Sequence, residues 1–536
     1  MKARKQVLLV GSHPVGRDMQ AQFRELGYTV VVKESSAEVD ATLLSATTEM
    51  ALLAPADADE LQADNEVLAW LQDITSLLAT TNRAACYTTA RMPLHLLLRS
   101  QTTLWMLKTV DFSADTNRWF DIFAFTMEDQ WALRALMGGL WSMKPSETRT
   151  PDDLACPPID RQGIGVHSNQ TVHLVVFGLS ALGEQLAVYT ALMAHFPNYV
   201  RDNRLRTRIT LVDPAMHDRQ ETLLGRYRHL FDNSYYRCVS LDNGQTRYHE
   251  PMYHGQRDDF VDVEWEFVEG HLHHPLMQQK LALWAASSDR QLLTVALCDA
   301  DDNHNYQEAF SLPAPVYHNP ETVVLVRVRQ QMAFRMMGRG SRFANVYPIG
   351  MQDSGYDVRQ PLMQMARMLN YYYVCSFGRK AVPTEMPADE VEQEWTKVEG
   401  FALRYSNVYN VMTMATKMRS LGHSTDDWSR FYALTADEVE QMAAVEHNRW
   451  VVDRLMLGFR PPTDDEKAAI EADITLKKTY KNEQRVHLDL CSYRELGTDE
   501  QGNDVRVYDR DLTASIPLIA NAFFEQMDAA ADNSDT

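Results

Sequence analysis

Val172-His173-Leu174-Val175-Val176-Phe177-Gly178-Leu179-Ser180-Ala181-Leu182-Gly183 reads as a strand that runs into a tight turn and then opens a helix. The first six residues are almost all apolar and rich in valine, the pattern of a strand covered on both faces. Gly178 and Gly183 punctuate the exit from the strand and the start of the helix. A helix over 184–195 and a strand over 208–212 ending in Asp213 follow, then further strand patterns at 261–268, 292–298 and 322–328. Short apolar runs alternating with helical stretches build a parallel sheet with helices on its faces. The N-terminus repeats the design: Val7-Leu8-Leu9-Val10 meets Gly11, an amphipathic stretch reaches Leu26, and a second β-branched run covers 29–32. Apolar runs at 51–54, 84–88 and 122–125, separated by helical stretches at 66–78 and 128–137, complete a first sheet.

The spacing therefore predicts an α/β chain with two tandem doubly wound, Rossmann-like parallel-sheet domains at 1–148 and 171–355. Between them, residues 149–170 hold Pro151, Pro157, Pro158, Gly163 and Gly165 and read as a linker. From Pro361 onward helical periodicity dominates, carried by Met363, Ala366, Met368, Leu369 and Tyr372. A mainly helical connector is expected over 356–432, a C-terminal helical module over 433–526 and a frayed tail over 527–536. Pro461-Pro462 stops a helix and opens an expected loop over 461–486, which holds the basic cluster Lys477, Lys478 and Lys481.

The 536 residues carry 45% apolar and 10% aromatic side chains, enough for packed cores. A net charge of -21 opposes a nucleic-acid partner, because such affinity comes from Lys and Arg displacing counterions. The cysteines, Cys86, Cys156, Cys238, Cys298, Cys375 and Cys491, form no Cys-x-x-Cys pair and read as reduced, buried thiols. The apolar run after the basic N-terminus is too short for a signal peptide, and no stretch reaches the ~18 apolar residues of a membrane span. A cytoplasmic protein without membrane insertion is expected.

Both sheets open on glycines five positions apart, Gly11 and Gly16, then Gly178 and Gly183. In the dinucleotide fingerprint a middle glycine lets the backbone approach pyrophosphate. His13 and Ser180 occupy that place here. Glu34 and Asp213 are the acidic candidates for a ribose, although Asp213 follows Gly178 by 35 positions where ~20 is usual. Candidate nucleotide contacts are thus Gly11, Gly16 and Glu34 in the first sheet and Gly178, Ser180, Gly183 and Asp213 in the second. With Thr210-Leu211-Val212-Asp213 and Val323-Val324-Leu325-Val326-Arg327-Val328, the second sheet resembles the cytoplasmic Rossmann domains that regulate potassium conductance, the TrkA-N type.

Gly270-His271-Leu272-His273-His274 lacks partners at metal-ligand spacing and reads as a polar strand-to-helix turn, so no metal is expected. Asp299 to His304 follows a strand and precedes a helix, where carboxylates cap exposed amides. No nucleophile elbow, His-Glu-x-x-His or phosphate-loop lysine is present.

Thr435 and Glu438 form a capping box that opens a helix running to Gly458. At ~100° per residue, Met442, Val445, Val452, Leu455, Met456 and Phe459 share a core face, while Glu446, His447, Trp450 and Arg454 gather on another. That second face packs against other structure or holds a ligand, with Trp450 stacking a flat base and Arg454 or Arg449 engaging phosphate. The run Ala443-Ala444-Val445-Glu446-His447-Asn448-Arg449-Trp450, with Arg454, Gly458, Phe459, His487, Leu490, Tyr493, Leu496, then Tyr508-Asp509-Arg510-Asp511 and Ile516-Pro517, resembles the ryanodine-receptor (RyR) repeat domain. Phe459 stands where that family usually has tryptophan and Leu488 where it usually has proline. Trp395, Arg404, Ser406-Asn407 and Lys417-Met418-Arg419 are similar to the connector that joins a Rossmann domain to this module in bacterial proteins.

The resemblance implies a ligand-sensing signalling or regulatory protein, with a place in antiviral defence. NAD, an ADP-ribose derivative or a cyclic nucleotide is the implied ligand class. Its implied site residues are Glu446, His447, Arg449, Trp450, Arg454, His487, Tyr493 and Asp511, and a homo-oligomer is the expected assembly. An NAD(P)-dependent enzyme with a site between the sheets, or a soluble subunit of a potassium channel or transporter, are the competing readings.

Overall fold

A computed structural model of the chain describes residues 5–80, 91–109, 112–137, 157–251, 259–330, 341–351, 355–378, 381–398, 400–425, 432–499 and 502–532. The chain divides into two compact units. One comprises Met1–Ala132, Gly350–Val408 and Ala522–Thr536, the other Leu133–Ile349 and Tyr409–Asn521. Each unit gathers pieces far apart in sequence, and the helix Phe401–Ser420 is shared out between them.

The first unit holds a five-stranded parallel sheet in the order β2-β1-β3-β4-β5. Its strands are β1 (Gln6–Val10), β2 (Thr29–Lys33), β3 (Glu49–Leu53), β4 (Met92–Leu97) and β5 (Phe120–Phe125). Chain order reverses between β1 and β3. Leu8, Val10, Met50, Leu52, Leu94, Leu96 and Ile122 from the strands pack with Trp70, Leu71 and Ile74 from the helix Glu60–Thr80. Sequence reading missed β4 because Pro93 and His95 interrupt its apolar run. His95 is nonetheless buried, since Glu49 Oε1 lies 2.7 Å from its Nε2 and Tyr356 Oη 2.5 Å from its Nδ1. Both ring nitrogens are thereby satisfied. The strand expected over 84–88 lies outside the described residues, as do Cys86 and Cys156.

Helices from the expected connector complete this unit around a buried carboxylate. Asp121 accepts from Arg404 Nη1 at 2.9 Å and from Trp395 Nε1 at 3.3 Å, and Arg367 also donates to it. Phe401 joins the core cluster of the sheet, and the Tyr405 hydroxyl donates to the Ala124 carbonyl at 2.7 Å.

The second unit holds eight strands in the order β13-β12-β11-β6-β7-β10-β8-β9. They are β6 (Thr171–Phe177), β7 (Thr207–Asp213), β8 (Tyr236–Ser240), β9 (Thr246–His249), β10 (Val263–Glu269), β11 (Gln291–Leu297), β12 (Val323–Arg327) and β13 (Val346–Ile349). The expectation of a wholly parallel sheet is corrected here, because β9 runs antiparallel to β8 at the edge. The hairpin turns through Asn243 and Gly244, the latter at φ +67°. Its strands are half-exposed and polar, so no apolar run betrays them. Chain order reverses between β6 and β11, and that reversal opens a crevice at the carboxyl ends of the strands.

Within 149–170, the described part beginning at Pro157 is packed and does not behave as a loose linker. Ile159 and Ile164 are buried, and Asp160 takes a two-pronged bond from Arg419 at 2.7 and 3.0 Å. A Cβ on Gly163, at φ +105°, would stand 2.2 Å from the Arg419 carbonyl oxygen. The long loop expected over 461–486 is instead two helices, Asp464–Ala472 and Leu476–Gln484, the first opened by a capping box of Thr463 and Glu466. The expected tail is helical as far as Asp532, where the helix Ile516–Asp532 ends. Among the described residues no helix is long and apolar enough to cross a membrane.

Asp121 gives the first unit a direct test. Asp121→Ala removes the acceptor shared by Arg367, Arg404 and Trp395, and breaking a buried pair of this kind costs about 3–5 kcal/mol. Urea unfolding is expected to show that loss, and a loss under about 1 kcal/mol would contradict the packing described.

Candidate functional site

The helix Ala436–Met456 carries the residues on which the site is built, and local sequence defines both its ends. At its start Glu438 Oε2 accepts from the Thr435 amide at 2.8 Å while Thr435 Oγ1 accepts from the Glu438 amide at 3.3 Å. At its end Gly458 sits at φ +83°, and the Phe459 amide reaches back to the Arg454 carbonyl at 2.9 Å. That is the Schellman closure glycine permits.

Most of the helix is buried within the second unit, on the acidic face as well as the apolar one. Glu446 Oε2 accepts from Lys417 Nζ at 2.5 Å, and Arg449 grips the same carboxylate from Nη2 at 2.8 Å and Nε at 3.1 Å. Arg449 Nη1 lies 3.6 Å from Asp453 Oδ2. Burial alone would raise the Glu446 carboxyl, but Arg449 and Lys417 override it and hold it down at about 2. Asn448 Nδ2 donates to Asp262 Oδ2 at 3.2 Å, and the other oxygen of Asp262 lies 2.8 Å from His195 Nδ1, which ties the helix to residues of the sheet layer. His447 Nε2 faces the Cys491 carbonyl at 2.8 Å and its Nδ1 lies 3.4 Å from Asp509 Oδ2. Burial opposes a charge on His447, yet Asp509 and that carbonyl raise its pKa.

Trp450 lies at the rim of this buried group and is only half-buried. Its ring is 5.8 Å from that of His447, tilted by 26°, and 4.9 Å from that of His487, which meets it edge-on at 76°. The Arg454 guanidinium lies 5.7 Å from the Trp450 centroid and 5.8 Å from that of Phe459. His487 is buried, and burial together with Lys481, Arg454 and Lys477 holds its pKa well below the usual imidazole range. A neutral imidazole, a half-open indole and the Arg454 guanidinium therefore meet at one place, with Asp489 Oδ2 3.7 Å from His487 Nδ1. Such a surface suits a flat, anionic molecule.

Of the residues expected to share this site, Glu446 and Arg449 face inward and pair with one another, His447 faces inward toward Asp509 and the Cys491 carbonyl, and Trp450, Arg454 and His487 cluster at the rim. Tyr493 is half-buried beside His447, with ring centroids 5.9 Å apart, and its hydroxyl donates to Glu440 at 3.2 Å. Asp511 is half-buried on the helix Arg506–Ala514. The carboxylate that meets His447 is Asp509, one helix face away from Asp511. Asp509 and Thr513 are buried four positions apart, a spacing that distinguishes the inward side. Lys417 was legible only as part of a connector motif, because nothing in its spacing announces a partner 29 residues on.

The glycine turns have local explanations. A Cβ on Gly178, at φ +76°, would lie 2.7 Å from the backbone nitrogen and Cα of Asp299, and one on Gly183 would lie 2.7 Å from the Gly178 carbonyl. Gly11, at φ +101°, faces the Leu53 carbonyl at 2.2 Å from its ideal Cβ, and Gly16 faces Leu53 Cδ1 at 2.9 Å. Close backbone packing thus requires Gly11, Gly178 and Gly183, whereas Gly16 meets only a leucine side-chain end. Ser180 is the N-cap residue of the helix Ala181–Met193 but makes no side-chain cap bond. Both oxygens of Asp213 accept from backbone amides, Leu179 at 2.9 Å and Ala215 at 2.8 Å. Glu34 is exposed. His13 Nδ1 accepts from the Val15 amide at 3.3 Å, and burial with nearby Arg99 lowers its pKa to about 4. Asp301 caps the helix Asp302–Ala309 by accepting from the Asn303 amide at 2.9 Å, as the spacing suggested. Among the described residues no His, Cys, Asp and Glu group could hold a metal ion.

Glu446→Gln tests the buried group. It leaves Lys417 and Arg449 beside a neutral amide at depth, a loss of about 3–5 kcal/mol at neutral pH. The Glu446 carboxyl sits below its ordinary 4.5, so its contribution is present above pH 4.5 and is lost as pH falls toward 2. Denaturant unfolding of wild type and variant is expected to converge over that range, and a gap independent of pH would contradict the assignment. No family model matches the chain, and no curated protein matches it.

Proposed function

We propose that the chain is a ligand-sensing regulatory protein that binds a nucleotide-type anion at Trp450. The observation that carries this is the half-open indole of Trp450 with Arg454 over its ring, at a point where Lys477 and Lys481 also bear on the neighbouring His487. Stacking on Trp450 recognises a base of either sugar type, and the cations take the phosphates. Arg454 supplies a local cation in a chain of net charge -21, where long-range electrostatics otherwise repel anions. The RyR-type resemblance of residues 433–526 supports the same reading, and a role in signalling or antiviral defence rests on that resemblance alone. Packing of the Trp450 helix within the second unit supplies a path by which a bound ligand stabilises one arrangement of that unit.

A second reading, an adenine nucleotide such as NAD at the second sheet, is favoured by one observation. With β8 and β9 set aside, the strands run β13-β12-β11-β6-β7-β10, the order of a doubly wound dinucleotide-binding sheet. Against it, Asp213 is engaged by two amides and the Asp299 backbone closes on Gly178. The Trp450 rim is therefore the favoured site.

A thermal-shift series with NAD, ADP-ribose, cyclic ADP-ribose and cyclic dinucleotides tests this. At a hundredfold excess over Kd, a ligand that binds only the folded state stabilises it by about 2.7 kcal/mol. Trp450→Ala is expected to weaken the active ligand by about 10- to 100-fold, the ~1–3 kcal/mol of a base stack, with Arg454→Gln weakening it further. No shift with any of these at millimolar concentration, or full binding by Trp450→Ala, would overturn the proposal.

A further inference from the structure

The carboxyl edge of the second sheet carries another group of ionisable side chains, on elements the Trp450 cluster does not use. His304, on the helix Asp302–Ala309, stands between two carboxylates: its Nδ1 is 3.3 Å from Asp299 Oδ2 and its Nε2 is 3.4 Å from Glu308 Oε1. Glu308 is buried, at 4% exposure, whereas Asp299 and His304 reach solvent. Asn305 grips the Asp299 backbone at both ends, accepting from its amide at 2.8 Å and donating to its carbonyl at 2.9 Å. That backbone is the surface against which Gly178 is packed too closely for a Cβ. Any movement of Asp299 is therefore felt by the turn after β6.

One imidazole shared by two carboxylates is a charge arrangement that neutral pH can change. A buried carboxylate needs a paired cation or a proton, and histidine is the cation that is lost near neutrality. The other charged and titratable groups facing Glu308 leave this unchanged. Asp302 on the same helix lies 3.8 Å from Arg327 Nη1, Arg327 at the end of β12 also donates to the carbonyls of Asp299 and Ala300 at 2.8 Å, and burial keeps the Cys298 thiol protonated, with its pKa at about 12. Burial, opposed by His304 and reinforced by Asp299, raises the Glu308 carboxyl to about 7.

We propose that Asp299, His304 and Glu308 form a proton switch that couples pH near neutrality to the backbone of the Gly178–Ser180 turn. Below neutrality the Glu308 carboxyl keeps its proton and the group is quiet. As pH rises the proton leaves Glu308 for water, and two carboxylates then flank the His304 ring. The buried Glu308 carboxylate is then poorly compensated beside the half-exposed His304, and Asp299 and Glu308 repel one another. A carboxyl whose folded pKa is raised contributes stability that is present below 4.5 and is lost as pH rises through about 7. The turn is therefore tight at pH 6 and loosened at pH 8, at the crevice where chain order reverses.

Hydrogen exchange of the full chain over a pH series that includes pH 6 and pH 8 and extends above them, corrected for the intrinsic chemistry of exchange, reads the turn directly. Amides of residues 178–183 are expected to exchange at least about threefold faster at pH 8 in wild type, as local opening grows. Glu308→Gln, permanently neutral, is expected to abolish the difference. His304→Gln, at a half-exposed position, keeps the fold testable and is expected to move the change to higher pH, because Glu308 loses the cation that favours its charged form. Equal protection of the wild-type turn at both pH values, an unaltered difference in Glu308→Gln, or an unmoved midpoint in His304→Gln would overturn the proposal.

Discussion

Two cations and a carboxylate can be held in a protein interior only if they meet in good geometry, because the desolvation of each ion otherwise outweighs its attraction for the others. Lys417, Arg449 and Glu446, each no more than 2% exposed, meet in that way. This contact fixes the rotation of the helix Ala436–Met456 about its own axis, and much of the second unit follows from it. Each step of four residues turns the helix by about 40°. The row Glu446, Trp450, Arg454 therefore climbs from the interior to the rim. Glu446 is locked inside, Trp450 is half-covered, and Arg454 leans over the indole at the edge. The same carboxylate that makes the helix a structural member thus sets how much of Trp450 faces outward.

The glycine turns show how easily one pattern serves two purposes. At Gly11 and Gly178 a Cβ would strike the backbone at the end of a neighbouring strand, Leu53 closing β3 in one case and Asp299 just past β11 in the other, and positive φ reinforces the requirement. Sheet geometry alone accounts for both residues. Asp213, which a dinucleotide would need for a ribose, instead accepts the Leu179 amide and fastens the turn to the end of β7. In a chain with these commitments the crevice edge of the second sheet is a packed joint. That is why the proton balance at Asp299, His304 and Glu308 is transmitted to the turn.

Much of the scaffold was legible in sequence because periodicity reports burial. Strands covered on both faces, such as β6 with Val172, Val175 and Val176 or β11 with Leu292, Leu293 and Val295, show as unbroken apolar runs. The capping box at Thr435 and Glu438 and the stop at Gly458 placed the site helix to within a residue or two. What escaped had a local reason. β4 hides behind Pro93 and a histidine whose partners, Glu49 and Tyr356, lie 46 and 261 residues away. β9 is an exposed polar edge strand, β8 beside it is only half-buried, and the helices over 464–484 present little apolar face. At the site, Glu446, His447, Trp450 and Arg454 read as one helix face, but sequence could not divide it into an interior and a rim. That division depends on Lys417 and Asp509, which reach the helix from distant elements.

Crystallisation of the full chain with ADP-ribose tests the central claim most directly, since it locates the ligand without presuming an activity. Density for an adenine ring stacked on the Trp450 indole, within about 4 Å of its plane, with phosphates toward Arg454 and Lys477, is the expected result. Density at the Gly178–Gly183 turn with Trp450 unoccupied would contradict it and return the second sheet to the centre of the account.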